Sequence, residues 1–392
     1  MSGYGYGDRV TDSGGNFDVP LARLRERRSA KWRMSPADVL PLTIAEMDFE
    51  LAAPVASALR RAVGRSDTGY GYDNGELLAA YQAAAGPLWG WDAAGTRLTA
   101  VTDVGVGVTE LLRVLAGPGA RVLLNSPVYP PFYGWIREAR CELEDVPLRR
   151  TGAGWRLDLD RIEAALRARP AAYLLCNPHN PVGRAHTADE LSQVIRLAAR
   201  YGVPVIADEI HAPLALSGHR VTPVLSLPDA APVAYAVTSA SKAWNLAGLK
   251  CAFILTASDA TGDQVRRLPP DTRWRFGHLG MIASVAAYRD GTDWLTRLRE
   301  TLTGRRDLVG DLLREHLPAL TWNPPEASFL AWLDCTELGD GDAVAQRFAD
   351  SAKVAVEGGS RFGGPGAGYI RLNFATSEDI LRTAFARMGA VS

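Results

Sequence analysis

Four short apolar runs in this sequence are each followed at once by side chains able to do chemistry. RVLLN (121–125) leads into Ser126 and Tyr129, and AAYLLC (171–176) into Asn177, His179 and Asn180. VPVIA (203–207) leads into Asp208 and His211, and VAYAV (233–237) into Ser239, Ser241 and Lys242. Together they supply an aromatic ring, an amide, a carboxylate, an imidazole, hydroxyls and an amine. The amine is the most telling member. Only four of the 43 basic residues are lysines, namely Lys31, Lys242, Lys250 and Lys353, so arginine serves wherever charge alone suffices. A retained lysine is enriched for tasks that need an amine, imine formation among them. One lysine alone reads equally well as a leftover on a solvated surface. Two of them, eight residues apart in an apolar, Ser-rich stretch, do not.

The elements that must hold these groups follow from periodicity. The four runs, with CAFILTA (251–257), lack polar alternation and are separated by helical patterns, which predicts a mainly parallel sheet covered on both faces. Ligands of such sheets bind beyond the carboxyl ends of the strands, where the reactive side chains fall. Thr187 to Glu190 has capping-box spacing, with Leu191, Val194, Ile195 and Ala198 on one helical face behind it. After residue 276 the pattern changes to amphipathic helices (MIASVAAY, DWLTRLRETL, AVAQRFADS) and isolated strands (SFLAWLD, GYIRLNFA). The predicted fold class is α/β, a large domain over 44–276 plus a smaller α+β domain over 277–392 joined by the N-terminal segment 1–43. The Gly-rich stretch from Gly358 to Gly368 reads as a mobile loop.

Composition narrows the function. With 392 residues, 47% hydrophobic and 22% charged, the chain is of ordinary globular make-up, not disordered, collagenous or coiled-coil. A net charge of −1 leaves no electrostatic footprint for nucleic acid or an anionic membrane, which points to a small-molecule partner. The start, MSGYGYGDRVTDSGG, has no apolar core of a signal peptide, and no apolar run approaches a membrane span. Four scattered cysteines without a CxxC pair fit a reduced, cytoplasmic setting. VGVGV (104–108) lacks GxGxxG spacing, and six scattered histidines form no metal motif, so no metal is expected. His179 and His186 read as loop residues and the tryptophans as packing, with Trp32 a candidate for the site entrance.

The converging set matches what pyridoxal phosphate demands. Lys242 can form a Schiff base with the aldehyde, Asp208 can keep the pyridine nitrogen protonated, and Asn180 can donate to the ring hydroxyl. Tyr129 can cover the ring face. Ser239, Ser241 and Lys250 can hold the phosphate, with Val104 and Gly105 opening a helix whose N-terminus favours an anion.

In order along the chain, NPHNPVG (177–183), ADEIH (207–211), TSASKAWNLAGLK (238–250) and YIRLNFA (369–375) resemble the class I/II aminotransferase superfamily of fold-type I pyridoxal-phosphate enzymes. SAKW (29–32), LTIAEMDF (42–49), GYGY (69–72), PVYPPFY (127–133), DEIHAPL (208–214), FGHLG (276–280) and AAYRDGTDWL (286–295) narrow the resemblance to the cystathionine β-lyase-like C–S lyase subgroup. The resemblance implies that Lys242 is the Schiff-base lysine, Asp208 the partner of the ring nitrogen, and Asn180 and His211 contacts of the ring hydroxyl, with His211 where aminotransferases commonly carry Tyr. It implies that Tyr129 stacks on the ring, that Arg371, with Asn180, holds the substrate α-carboxylate, and that Tyr72 reaches the phosphate of the neighbouring subunit in a homodimer. Two positions depart from the pattern. Glu46 stands where the subgroup usually has Asp, and Asp103 where Gly is common; a carboxylate beside a phosphate is unfavourable, so Asp103 is expected to point away.

Three functions are compatible with these residues. The first is a C–S β-lyase cleaving cystathionine or another cysteine thioether to pyruvate, ammonia and a thiol. The second is an aminotransferase or specialised biosynthetic enzyme using the same cofactor contacts. The third is a regulatory protein on the same fold, against which the intact Lys242, Asp208 and Arg371 count.

Overall fold

The computed structural model describes residues 16–152 and 154–392. The stretch 1–15, on which the signal-peptide reading rests, lies outside the described residues. A seven-stranded sheet carries the middle of the chain. Across it run Arg97–Val101, Ala252–Thr256, Ala234–Thr238, Val205–Asp208, Ala172–Cys176, Arg121–Leu124 and Glu142–Asp145. The last five are parallel to one another, and Ala252–Thr256 is antiparallel to both of its neighbours. Register brings Cys176, Asp208 and Val237 abreast at one edge, so the predicted strand ends do meet.

Both faces of this sheet are covered, which is why its strands read as unbroken apolar runs. Leu123, Tyr173, Leu175, Val205 and Ala207 belong to one hydrophobic cluster, while Val122, Leu124, Leu174 and Ile206 belong to another. Two strands escape the apolar pattern. Glu142–Asp145 is a polar edge strand, and Arg97–Val101, at the opposite edge, runs from an exposed Arg97 to a buried Ala100 and Val101.

The helix Ala188–Tyr201 starts at the expected capping box: Glu190 N donates to Thr187 Oγ1 (3.1 Å) and Thr187 N to Glu190 Oε2 (2.8 Å). Its buried residues are Leu191, Val194, Ile195 and Ala198. Beyond the large sheet, Thr321–Trp322, Leu330–Asp334, Tyr369–Asn373 and Glu357–Gly358 form a four-stranded antiparallel sheet. Leu40–Pro41 pairs in parallel with Val354–Ala355, and Arg305 of the long helix Thr292–His316 bridges Asp18 and Glu378. The early chain therefore lies against the C-terminal elements.

The Gly-rich stretch corrects the expectation of a free loop. Phe362 is fully buried, and its carbonyl accepts from Val128 N and Tyr133 Oη, both at 2.8 Å. Its glycines permit close packing: a Cβ on Gly359 would come within 2.1 Å of the Gly366 carbonyl oxygen. Among the described residues, no helix is long and apolar enough to cross a membrane.

Candidate active site

A cavity of about 340 Å³ opens at the carboxyl edge of the parallel strands. Its walls bring together Val104, Gly105, Tyr129, Asn180, Asp208, His211, Ser241, Lys242 and Lys250 from five separate stretches of chain. Lys242 is held from an unforeseen direction: its Nζ donates to the Ala45 carbonyl at 2.8 Å. Burial, and then the nearby Arg371 charge, lower its ammonium to about 8. Glu46 and Asp208 partly offset this.

Asp208 is buried with one oxygen accepting from Ile210 N at 3.0 Å. Burial pushes its carboxyl up to about 7, against the pull of that N–H and of Lys242. No cation hydrogen-bonds it among the described residues. A buried carboxylate in this state fits a positively charged N–H supplied from the cavity. The neighbouring Glu209 has a structural task, accepting from Asn177 Nδ2 (3.0 Å) and Val224 N (2.7 Å). The His211 imidazole is kept neutral, lowered by burial and the Lys242 and Arg371 charges to about 3, and its Nδ1 is an unpaired buried atom. Asn180 spends its carbonyl on Arg371 Nη1 (3.2 Å), leaving its amide nitrogen to donate elsewhere.

At the far end, the helix Val104–Leu115 points its N-terminus into the cavity. Gly105 is required there, since a Cβ would lie 2.5 Å from Trp135 Nε1. Asp103 overturns the expectation that it turns away. It lines the cavity, caps the helix through Val106 N (2.9 Å) and pairs with Lys250 Nζ at 3.3 Å. Helix N–H groups and an ammonium compensate the carboxylate, which is why it stays.

Three expected residues do not line the cavity. Ser239 Oγ is committed to the Cys251 carbonyl (2.6 Å) and accepts from Ser241 N (3.0 Å), so it braces the loop that carries Ser241 and Lys242. Arg371 is buried behind Asn180, and Tyr72 lies 73% exposed at a different cleft. Trp32 donates to Asp48 Oδ1 at 2.8 Å and borders a wide groove that shares Ala247 and Lys250 with the cavity. His179 and His186 do lie in the connection between strand and helix, buried there against each other. Sequence reasoning missed Trp135, which packs edge-on to Tyr129, and Cys176, whose thiol burial holds well above its usual range. Trp135 lies two residues beyond the PVYPPFY motif, close enough for the motif to have pointed to it.

The donor set therefore fits pyridoxal phosphate: a buried amine, an uncompensated buried carboxylate, a neutral imidazole with a free nitrogen, and a helix N-terminus with Ser241 and Lys250 beside it. Fold and site together define a fold-type I pyridoxal-phosphate enzyme. Comparison with known proteins agrees. Residues 37–388 match the family model "Aminotransferase class I and II". A Mycobacterium tuberculosis protein named "Putative cystathionine beta-lyase" is 45% identical, over 95% of this chain and 96% of its own. The "Cystathionine beta-lyase" of Corynebacterium glutamicum is 32% identical, over 95% and 98%. A solved "putative plp-dependent beta-cystathionase" from Corynebacterium diphtheriae superposes with a TM-score of 0.88 at 33% identity, covering 95% of this chain and 98% of that one. The chain belongs to the aminotransferase class I and II family.

Proposed function

We propose that the protein is a pyridoxal-phosphate-dependent carbon–sulfur β-lyase that cleaves cystathionine or a related cysteine thioether to pyruvate, ammonia and a thiol. The observation that carries this reading is the buried Lys242 amine, lowered to about 8 and facing Asp208 at the strand edge. Full-length relatives named cystathionine beta-lyase support the choice of reaction over amino transfer. When bound, the cofactor supplies an electron-withdrawing ring that stabilises charge developing at the substrate Cα.

The chain's own residues do the rest. Asp208 would hold a proton on the ring nitrogen, and Tyr129 would lie against the ring. Asn180 would donate to the ring hydroxyl, beside the neutral His211. Ser241, Lys250 and the N–H groups at Val104 and Gly105 would hold the phosphate, with Ser239 bracing Ser241. The Lys242 amine would take the substrate Cα proton, and its hydrogen bond to the Ala45 carbonyl is the position that orients it. Arg371 and Asn180 fix the α-carboxylate. A β-thiolate is a good leaving group, so no further base is needed for elimination. We assign the protein to the cytoplasm as a homodimer in which Tyr72 completes the neighbouring subunit's phosphate site. The large domain is taken as 44–276 and the small one as 277–392 with the N-terminal segment.

The test is incubation of the purified, cofactor-loaded protein with L-cystathionine and S-substituted cysteines in the absence of a keto acid. Pyruvate, ammonia and thiol are expected in equal amounts. Turnover that requires a keto acid and favours amino acids without a β-leaving group overturns the lyase reading and leaves the cofactor reading standing.

A further inference from the structure

The charge of Arg371 is already answered within the protein. Arg371 and Glu357 lie directly opposite each other in the antiparallel pair of Tyr369–Asn373 with Glu357–Gly358, so their side chains share one face. Arg371 Nη2 donates to the Glu357 carboxylate and to the Thr43 carbonyl (3.2 Å), and Nη1 donates to Asn180 Oδ1. Nε has no partner among the described residues. A carboxylate meets a guanidinium as a fork through Nη1 and Nη2 or through Nε and Nη2. Either fork needs a proton of Nη2, and both of those protons are engaged. Thr43 offers a backbone atom held between Leu42 and Ile44, whose carbonyls accept from Asn373 N and Nδ2; Glu357 offers a side chain that can turn. The other Glu357 oxygen lies 3.7 Å from Nη1 of Arg361, a residue whose side chain is 71% exposed. Glu357 stands between a buried guanidinium and an exposed one.

We propose that Glu357 is an internal carboxylate that occupies the substrate-carboxylate position on Arg371 and passes to Arg361 when an amino acid docks. The proposal rests on the reading of Arg371 as the carboxylate clamp. Two carboxylates on one buried guanidinium leave a negative charge uncompensated beside it, which is costly. Transfer to Arg361 moves that charge toward solvent, where a partner waits. In the resting protein the same contact keeps the buried Arg371 from standing alone. The exchange lowers affinity for every ligand that carries an α-carboxylate and leaves ligands without one untouched.

Calorimetric titration of the cofactor-loaded protein with L-alanine, and with ethylamine as its decarboxylated counterpart, tests this without a leaving group and so without the lyase reaction. Glu357→Gln should bind L-alanine about tenfold tighter, roughly the worth of one charge-assisted hydrogen bond, with ethylamine unchanged. Arg361→Gln, at an exposed position, should bind L-alanine several-fold more weakly, again with ethylamine unchanged. Arg371→Gln should erase the preference for L-alanine over ethylamine; if that preference survives, the clamp reading itself fails. If Arg371→Gln erases it while Glu357→Gln binds L-alanine equally or less tightly than the parent, Glu357 merely orients Arg371 and the displacement proposal is overturned.

Discussion

Individual side chains in this site are governed by burial more than by direct pairing. Lys242 is lowered and Asp208 raised because both leave water, and each is then offset by what the other contributes. Lys242→Ala should therefore yield a colourless protein that retains no cofactor imine absorbance and loses roughly a thousandfold or more in turnover; a yellow, active variant would remove the central assignment. Asp208→Asn should cost roughly a hundredfold in turnover, because it removes the charge that holds the ring proton. Asn180→Ala loses hydrogen bonds worth about 0.5–1.5 kcal/mol each and should act mainly by raising KM, since Asn180 also braces Arg371. Equal, small losses in both variants would show that Asp208 is not the ring partner. His179 makes a separate prediction about stability. Burial holds its imidazole at about 4 against an ordinary 6.5, with the Pro127 carbonyl opposing. The unfolded chain thus takes up this proton before the folded one does. Its contribution is full above pH 6.5 and is lost as pH falls through the window down to about 4. His179→Gln should flatten the decline of Tm across that window, measured by thermal melts at stepped pH; an unchanged slope refutes it.

Elements reach the site through close approaches that only small residues allow. The helix His278–Asp290 is pressed against the turn before Lys250, where Gly280 leaves no room: a Cβ would lie 2.3 Å from the Leu249 carbonyl oxygen and 2.8 Å from Cys251 Cβ. Gly280→Ala must push this turn, and with it the Lys250 ammonium that faces the cavity. We expect a loss of about 1–3 kcal/mol in stability together with weaker cofactor retention, read by thermal melt and by cofactor titration of the apoprotein. A destabilised variant with unchanged cofactor affinity would mean that this helix does not position Lys250. The segment through Ala45 works similarly. Asn373 Nδ2 donates to the Ile44 and Glu46 carbonyls, Asn245 bonds Met47 at both its N–H and carbonyl, and Lys31 Nζ bonds Glu46 O and Asp48. These contacts seat the Ala45 carbonyl against Lys242, and they give Lys31 a structural post under the site.

At the scale of the whole molecule, an aromatic patch is left outside. Tyr70, Tyr72 and Trp274 are 87%, 73% and 55% exposed, and Tyr72 and Trp274 flank a cleft of about 480 Å³ that also holds Phe276. Such exposure of large apolar side chains suits a self-complementary contact, and a two-fold dimer is the commonest soluble oligomer. Sedimentation at equilibrium should report a dimer for the parent protein and for Tyr72→Phe. The variant should release its cofactor about three- to tenfold more readily, the worth of one hydrogen bond. A fully active monomer at high dilution would refute the composite site.

The sequence by itself determined the strands of the parallel sheet, the capping box at Thr187 and the chemistry gathered at the strand ends. Those are local matters: apolar runs report burial on both faces, and whatever follows a strand must emerge at its carboxyl edge. It could not determine the polar edge strand Glu142–Asp145, whose place depends on a neighbour rather than on its own pattern. Tertiary structure alone decided that Asp103 stays at the helix cap, that Ser239 turns to Cys251, that Phe362 fastens the Gly-rich stretch, and that the Ala45 carbonyl meets Lys242 across 197 residues of chain. It alone set Glu357 opposite Arg371. Each of these is a contact fixed by register and packing between distant segments, and spacing along the chain carries no information about which distant atom a buried polar group will find.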